Sequence, residues 1–369
     1  MKIEEIAQKF KLEGKIKSIK ENKTGNINKT YIIITDKKKY ILQKINTLVF
    51  NEPYLLMQNI ENITNYYKNY LIKNGGDVER ETLSVIQTID KSNIFRNDDE
   101  YYRMYNYIDN AITYDKSESE EMFYNVGKAF GHFVRVLNNY PIDSLSEIIP
   151  NFHNSKVRYK NFLKDIKKDV CGRVKSVSPE IVYILQREDE LNSIVGLLET
   201  SKIPTRVTHN DTKINNVLID SKTNKAICVI DLDTVMPGSA LYDFGDAIRS
   251  GASTTYEDDP YLENVGINID YFKSFTSAYL SETKDILNKE EIDNLVLSCK
   301  VITLELAMRF LNDYINGNTY FKCDYDNHNL IRCRNQLKLV SEIEKNYKLM
   351  EKIVKEETKV KTLNKLDKH

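Results

Sequence analysis

The spacing of apolar positions changes along the chain, and that change divides it. A short amphipathic helix is predicted at 3–10, followed by runs that read as strands at 15–20, 30–35 and 39–44. Apolar recurrence at helical spacing predicts a helix at 55–71. Further strands are predicted at 83–89, 93–96 and 101–107, with a turn at Asn97-Asp98-Asp99-Glu100. From residue 118 the pattern becomes mainly helical. Phe123, Val126, Ala129, Phe130, Phe133 and Val136 form one stripe of a helix at 123–137. More helices are expected at 154–169, 178–200, 241–249, 269–287, 290–311 and 335–354. The fold class that follows is α+β: a small N-terminal lobe built on an antiparallel sheet (1–104), a connector (105–109) and a larger helical C-terminal lobe (110–354). Residues 355–369 are charged, lack a stripe and are expected to fray.

Composition narrows the function classes. Lys and Arg (53) balance Asp and Glu (54) to a formal charge of −1, which argues against a nucleic-acid or membrane-surface partner recruited by bulk charge. No window offers about 18 uninterrupted apolar residues, so no membrane-spanning helix is expected. The N-terminal stretch has mixed charge and lacks a signal-peptide core. Cys171, Cys228, Cys299, Cys323 and Cys333 show no metal-ligand spacing, and their odd number suggests reduced thiols in a cytoplasmic protein.

Candidate chemistry is concentrated at 207–249. Here His209-x-Asp211-x-Lys213-x-x-Asn216 is followed by an apolar run, 226–230, that ends in Asp231. Phosphoryl transfer needs a carboxylate to orient a hydroxyl, metal ligands for the phosphates and positive charge on the moving group. These residues have that order. Residues 216–220 and 225–231 read as the strands of a hairpin around Ser221-Lys222-Thr223-Asn224. If Asp220 faces Lys225, Asn216 faces Val229 and Asp231 lies diagonally across from Asn216. Diagonal neighbours sit roughly 7–8 Å apart, a span that two side chains can bridge to one Mg²⁺.

At these residues the chain resembles the aminoglycoside phosphotransferase/choline kinase family, a branch of the protein-kinase-like fold. It departs from that family's usual His-Gly-Asp by carrying Asn210. The run 209–253, together with 40–46, 149–153 and 309–334, resembles one subgroup more closely, the bacterial N-acetylhexosamine 1-kinases. The resemblance implies a two-lobe kinase that phosphorylates the anomeric hydroxyl of an N-acetylhexosamine, with ATP as co-substrate and Mg²⁺ as cofactor. It implies that Asp211 orients the hydroxyl, Lys213 meets the transferred group, His209 braces the loop, and Asn216 and Asp231 hold the metal. Asp233 is a weaker metal candidate with an expected structural role, and Asp243 is expected to hold the catalytic loop through backbone bonds.

The loop carrying Gly25, Asn26 and Asn28 occupies the place of an ATP cover. In register with the family, Gln43 falls where a phosphate-touching cation is usual, with Lys44 one residue later and facing oppositely. The usual Lys–Glu ion pair is then missing or rebuilt, with Glu61 as a candidate partner. Tyr105 and Tyr107 fall at the connector, whose backbone would meet the adenine edge. The resemblance implies that Arg309 and Tyr320 contact the sugar, although Glu305, four residues before Arg309, can pair with it instead. Ser250 stands where an aromatic is expected, which opens the pocket or adds a hydroxyl. Expected partners are ATP and a small sugar acceptor, with no nucleic acid and no membrane. Another small hydroxylated acceptor (choline, an aminoglycoside, homoserine or another sugar) and a catalytically dead nucleotide-binding scaffold are the alternatives.

Overall fold

The computed structural model describes residues 1–22 and 27–359. Within them the chain forms two compact units, the first of Met1–Ile112, Asn139–Pro150 and Val217–Pro237, the second of the remainder.

The first unit is built on a five-stranded antiparallel sheet in the order β1-β2-β3-β5-β4. Its strands are β1 (Ile16–Asn22), β2 (Lys29–Thr35), β3 (Lys39–Ile45), β4 (Phe95–Asn97) and β5 (Glu100–Asn106). Helix α1 (Ile3–Ala7) covers one face, where Ile6, Phe10, Ile33, Tyr40, Leu42, Tyr102 and Met104 make a common core. Helix α2 (Pro53–Asn74) starts with proline in its first turn and ends at Gly75, whose φ of 73° gives a left-handed cap. Residues 83–89 do not form the strand expected of them. They run beside β5 through separate bonds, Ile86 N–H to the Met104 carbonyl and Asn106 N–H to the Ser84 carbonyl, because β4 already occupies part of that edge.

The hairpin of residues 217–237 was expected in the larger lobe and instead belongs to this first unit. Side chains explain why. The Asn59 amide, fully buried on α2, donates to the Ser146 and Val235 carbonyls at 2.8 and 3.1 Å. Arg80 pairs with Asp220 at 2.8 Å. A short strand β6 (Ala111–Ile112) extends the hairpin of β8 (Val217–Asp220) and β9 (Ala226–Val229) into a three-stranded sheet. Strand β7 (Arg206–Thr208) leads into the loop carrying His209.

The second unit is helical. Its elements are α3 (Glu120–Leu137), α4 (Ser155–Lys168), α5 (Ser178–Leu185), α6 (Glu188–Leu191), α7 (Ser193–Glu199), α8 (Ala240–Gly251), α9 (Ile269–Thr283), α10 (Lys289–Asp293), α11 (Leu295–Ile315) and α12 (His328–Lys359). The single helix expected at 178–200 is broken at Arg187 and Asn192, so that Ile184, Leu191 and Ile194 each turn a fully buried side chain inward. The helix expected at 290–311 breaks at Asn294 for a related reason. Asn288 and Glu291 form a capping box on α10, and Glu291 is also held by Arg206 at 2.6 Å. Helix α12 starts earlier than expected and continues to Lys359, with Ile353 and Val354 buried. The frayed tail therefore does not begin at 355; residues 360–369 lie outside the described residues. Close helix packing depends on Gly245, where a Cβ would stand 2.5 Å from the Ser298 carbonyl oxygen on α11.

Candidate active site

In the first unit, the register of the hairpin differs from the expected one. Val217, not Asn216, faces Val229, because Ile227 is an extra residue that displaces the ladder by one position. Asp220 N–H still donates to the Lys225 carbonyl at 2.8 Å. Asp231 follows the strand with φ 60° and ψ 56°, a left-handed conformation that a non-glycine residue adopts only at a cost. Its side chain is exposed, whereas Asp233, two residues on, is buried. Both Asp233 oxygens are engaged, Oδ2 by the Asn28 amide at 2.6 Å and Oδ1 by the Arg103 guanidinium. Each Asp233 oxygen thus faces a donor of the first unit, the arrangement a structural role would have.

Gln43 and Lys44 face opposite sides of β3. Lys44 pairs with Glu100 on one side. Gln43 on the other accepts from Arg103 Nε and Nη2 at 3.0 and 2.8 Å and donates to the Thr30 hydroxyl at 3.1 Å. Among the described residues Glu61 forms no ion pair, while Arg103 pairs with Asp233. Tyr105 is buried with its ring beneath Arg103, at 5.3 Å. The Tyr107 N–H donates to the Lys39 carbonyl at 3.2 Å and is thus occupied by the sheet. Gly25 and Asn26 lie outside the described residues.

In the second unit, the loop after β7 is held from beneath by α8. Asp243 accepts His209 N–H at 2.9 Å and Asn210 N–H at 2.7 Å, and its carbonyl accepts the Thr212 hydroxyl at 2.6 Å. Burial pushes the Asp243 carboxyl up to about 6, although His209 and the two backbone donors pull the other way. The His209 ring is fully buried and lies edge-on to Phe130 and Phe133, which fits a brace. Asn210 has φ 63°, the left-handed region in which glycine is easiest and asparagine next. Its carboxamide accepts the Thr208 hydroxyl at 3.0 Å.

Asp211, half-buried, is bonded on both oxygens, by Lys213 at 2.9 Å and by Asn216 Nδ2 at 3.0 Å. Burial opposes its charge, but Lys213, His209 and Asn216 together hold its carboxyl below the usual carboxylate range. Asp211 in turn raises the Lys213 ammonium above its ordinary value. Asn216 closes a 3₁₀ turn, Ile214–Asn216, and its amide hydrogens also reach the Asp211 carbonyl at 2.7 Å. That leaves Oδ1 as its donor for a cation. Asn216 Oδ1 and the Asp231 carboxylate are hard oxygen donors, the type Mg²⁺ prefers.

A second cluster surrounds Arg309. The alternative pairing of Arg309 with Glu305 does not form; Glu305 Oε1 faces His153 Nδ1 at 3.2 Å and Arg158 Nε at 3.3 Å. Although burial opposes it, Glu305 is kept below the usual carboxylate range by His153, Arg158 and Arg309. Burial and the nearby Arg309 push Arg158 down to about 10. The Arg309 guanidinium instead lies among the rings of Phe152, Tyr320 and Phe321, 5.5–5.9 Å from each. Tyr320 is 60% exposed. Its backbone is fixed by Asp313, which accepts from the amides of Thr319, Tyr320 and Phe321 at 2.8, 2.8 and 2.9 Å. The Ser250 hydroxyl donates to the Asp246 carbonyl within its own helix at 2.9 Å, so Ser250 contributes reduced bulk rather than a projecting hydroxyl.

Sequence reasoning missed Arg103 and Asp313. A visible signal existed for Asp313: an acid in the last turn of a helix opposes the dipole and needs another reason to be there. Arg103 is a charge inside a Tyr-rich strand, a weaker signal.

Solved structures share the fold across nearly the whole chain. A microcompartment-associated aminopropanol kinase is 15% identical, matching 94% of this chain and 97% of its own at a TM-score of 0.62. A spectinomycin phosphotransferase solved with ADP and spectinomycin is 14% identical, with 89% and 93% covered and a TM-score of 0.56. A choline kinase from Cryptosporidium parvum is 15% identical, with 91% of both chains covered and a TM-score of 0.55. The family described as APH, phosphotransferase enzyme family, matches residues 18–267, well over half of the sequence. With His209, Asp211, Lys213, Asn216 and Asp231 all inside that span, the chain belongs to the phosphotransferase enzyme family.

Proposed function

We propose that this phosphotransferase is an ATP-dependent, Mg²⁺-dependent kinase acting on the anomeric hydroxyl of an N-acetylhexosamine, N-acetylgalactosamine or N-acetylglucosamine. The observation that carries the reaction type is the loop in which Asp211, ionised and bonded to Lys213 and Asn216, is held rigid by Asp243. Asp211 orients the sugar hydroxyl and receives its proton as the oxygen bonds to the γ-phosphorus. The bond from that phosphorus to the bridging oxygen of ADP breaks, and ADP leaves. Lys213, kept charged by Asp211, offsets negative charge on the transferred group. Mg²⁺, when bound, neutralises charge on the nucleotide phosphates, with Asn216 and Asp231 supplying oxygen donors.

Charge around Arg309 supports this acceptor class. Two guanidinium groups, Arg158 and Arg309, stand against one carboxylate, Glu305. Arg309 lies over the rings of Phe152, Tyr320 and Phe321, so an ammonium stacking there would stand beside its positive charge. Choline, an amino alcohol or an aminoglycoside would bring a cation to a cationic cluster. A neutral sugar meets ring faces and guanidinium donors without that repulsion. Turnover measured across N-acetylglucosamine, N-acetylgalactosamine, choline, ethanolamine and aminoglycosides tests this. Turnover confined to the cationic acceptors sinks the substrate class, and ATP binding without turnover on any acceptor favours a scaffold.

A further inference from the structure

Arg103 has no place in the reaction as described. It is 1% exposed, on β5, directly across the ladder from Gln43. A guanidinium is strongly disfavoured at such a site unless its donors are answered. Here Nε and Nη2 go to Gln43 Oε1, and Nη1 is ion-paired with Asp233. Asp233 continues the chain to Asn28 Nδ2 at 2.6 Å, and Asn28 Oδ1 accepts the Asn46 N–H at 2.9 Å. Five residues thus join the start of β2, the end of β3, the middle of β5 and the turn that follows Asp231. Apolar side chains of similar volume would hold these strands together equally well. What a buried ion pair tied into such a chain adds is one fixed arrangement of the groups at its ends.

We infer that Arg103 is a positioning residue of the nucleotide side of the site. Acting through Asp233, it sets Asn28 and the turn at 231–233 in the arrangement that receives the nucleotide phosphates and their cation. Arg103 acts from within the unit, with Nε and Nη2 on Gln43 and Nη1 toward Asp233. This inference rests on the reading of Asn28 and Asp231 as nucleotide-side residues.

The test removes both charges together, Arg103→Met with Asp233→Asn, so that neither is left buried alone. With Mg²⁺ and ADP in calorimetry, the double variant binds at least about tenfold more weakly, while its ligand-free melting temperature stays near that of the parent. In turnover, the KM for ATP rises and kcat at saturating ATP holds. Asn28→Ala gives the same loss, and the triple variant is no weaker than the double, because the three residues form one chain. Parent-like ADP affinity in the folded double variant, or an additive triple, overturns the inference. If the double variant does not fold, Gln43→Leu and Asn28→Ala cut the chain at its ends with the ion pair intact, and parent-like affinity in both overturns it equally. Asp231→Ala separates the two levels. Lost Mg²⁺-ADP binding there, with parent-like binding in the double variant, removes only the role of Arg103. Parent-like binding in both removes the nucleotide-side reading itself.

Discussion

Asn216 turns its amide hydrogens onto Asp211, reaching the carboxylate at 3.0 Å and the carbonyl of the same residue at 2.7 Å. One side chain thereby fixes the orientation of the proposed base and frees its own oxygen for a cation. Asp211→Asn keeps the size of that residue and removes its negative charge. Turnover is expected to fall by about 10²–10⁴, in kcat, with Mg²⁺-ADP affinity little changed. Steady-state kinetics beside calorimetry check this, and near-parent kcat takes Asp211 out of the mechanism.

Lys213 gives a prediction in pH. It is the largest of the groups that hold the Asp211 carboxyl down. An acid with a lowered value keeps its charge to lower pH, so the acidic limb of kcat/KM for the parent lies below the usual carboxylate range. Lys213→Met removes that support, and the limb moves to higher pH. Profiles of parent and variant with identical limbs would show that Asp211 is not the group titrating.

Asp243 gives a prediction in stability. Its carboxyl is raised, to about 6 in the folded protein, so between about pH 4 and 6 the folded state binds more protons than the unfolded one. The carboxyl's contribution is therefore largest at low pH and declines as pH rises through that window, by an amount on the order of 3 kcal/mol. In Asp243→Asn that decline is absent, so the stability gap between parent and variant narrows from pH 4 to 6. Urea melts at several pH values measure the gap; a gap that widens instead means the carboxylate is favoured in the fold.

Asp313 gives a prediction in acceptor recognition. Asp313→Ala leaves three loop amides without their acceptor, and Tyr320 loses its fixed place beside Arg309. The acceptor KM is expected to rise at least about tenfold, with ATP KM unchanged. Equal rises in both constants would indicate general unfolding instead.

Helices with an apolar stripe, such as α3, were legible from sequence because burial on one face enforces the period. Their breaks were not, because Arg187, Asn192 and Asn294 interrupt runs whose periodicity continues through them. The 209–216 motif was legible because its residue types and order are dictated by chemistry. The register of the hairpin was not, since nothing in Ala226-Ile227-Cys228-Val229 marks Ile227 as the extra residue. Arg103 and Asp233 are 130 positions apart, and only the folded sheet makes them a pair. The Arg309 surroundings were half legible. The guanidinium and Tyr320 are neighbours, but Glu305 had a better partner in His153 and Arg158, whose approach depends on α4.

The left-handed backbone at Asn210 bears on how such chains are recognised at all. A search keyed on the letters His-Gly-Asp passes over this protein. One keyed on what the position requires, a residue able to turn left between a buried imidazole and a half-buried carboxylate, retains it. Exchange between glycine and asparagine there is then a conservative event for the loop, although the two letters share no side-chain chemistry. A β-branched residue at the same place would be the real departure.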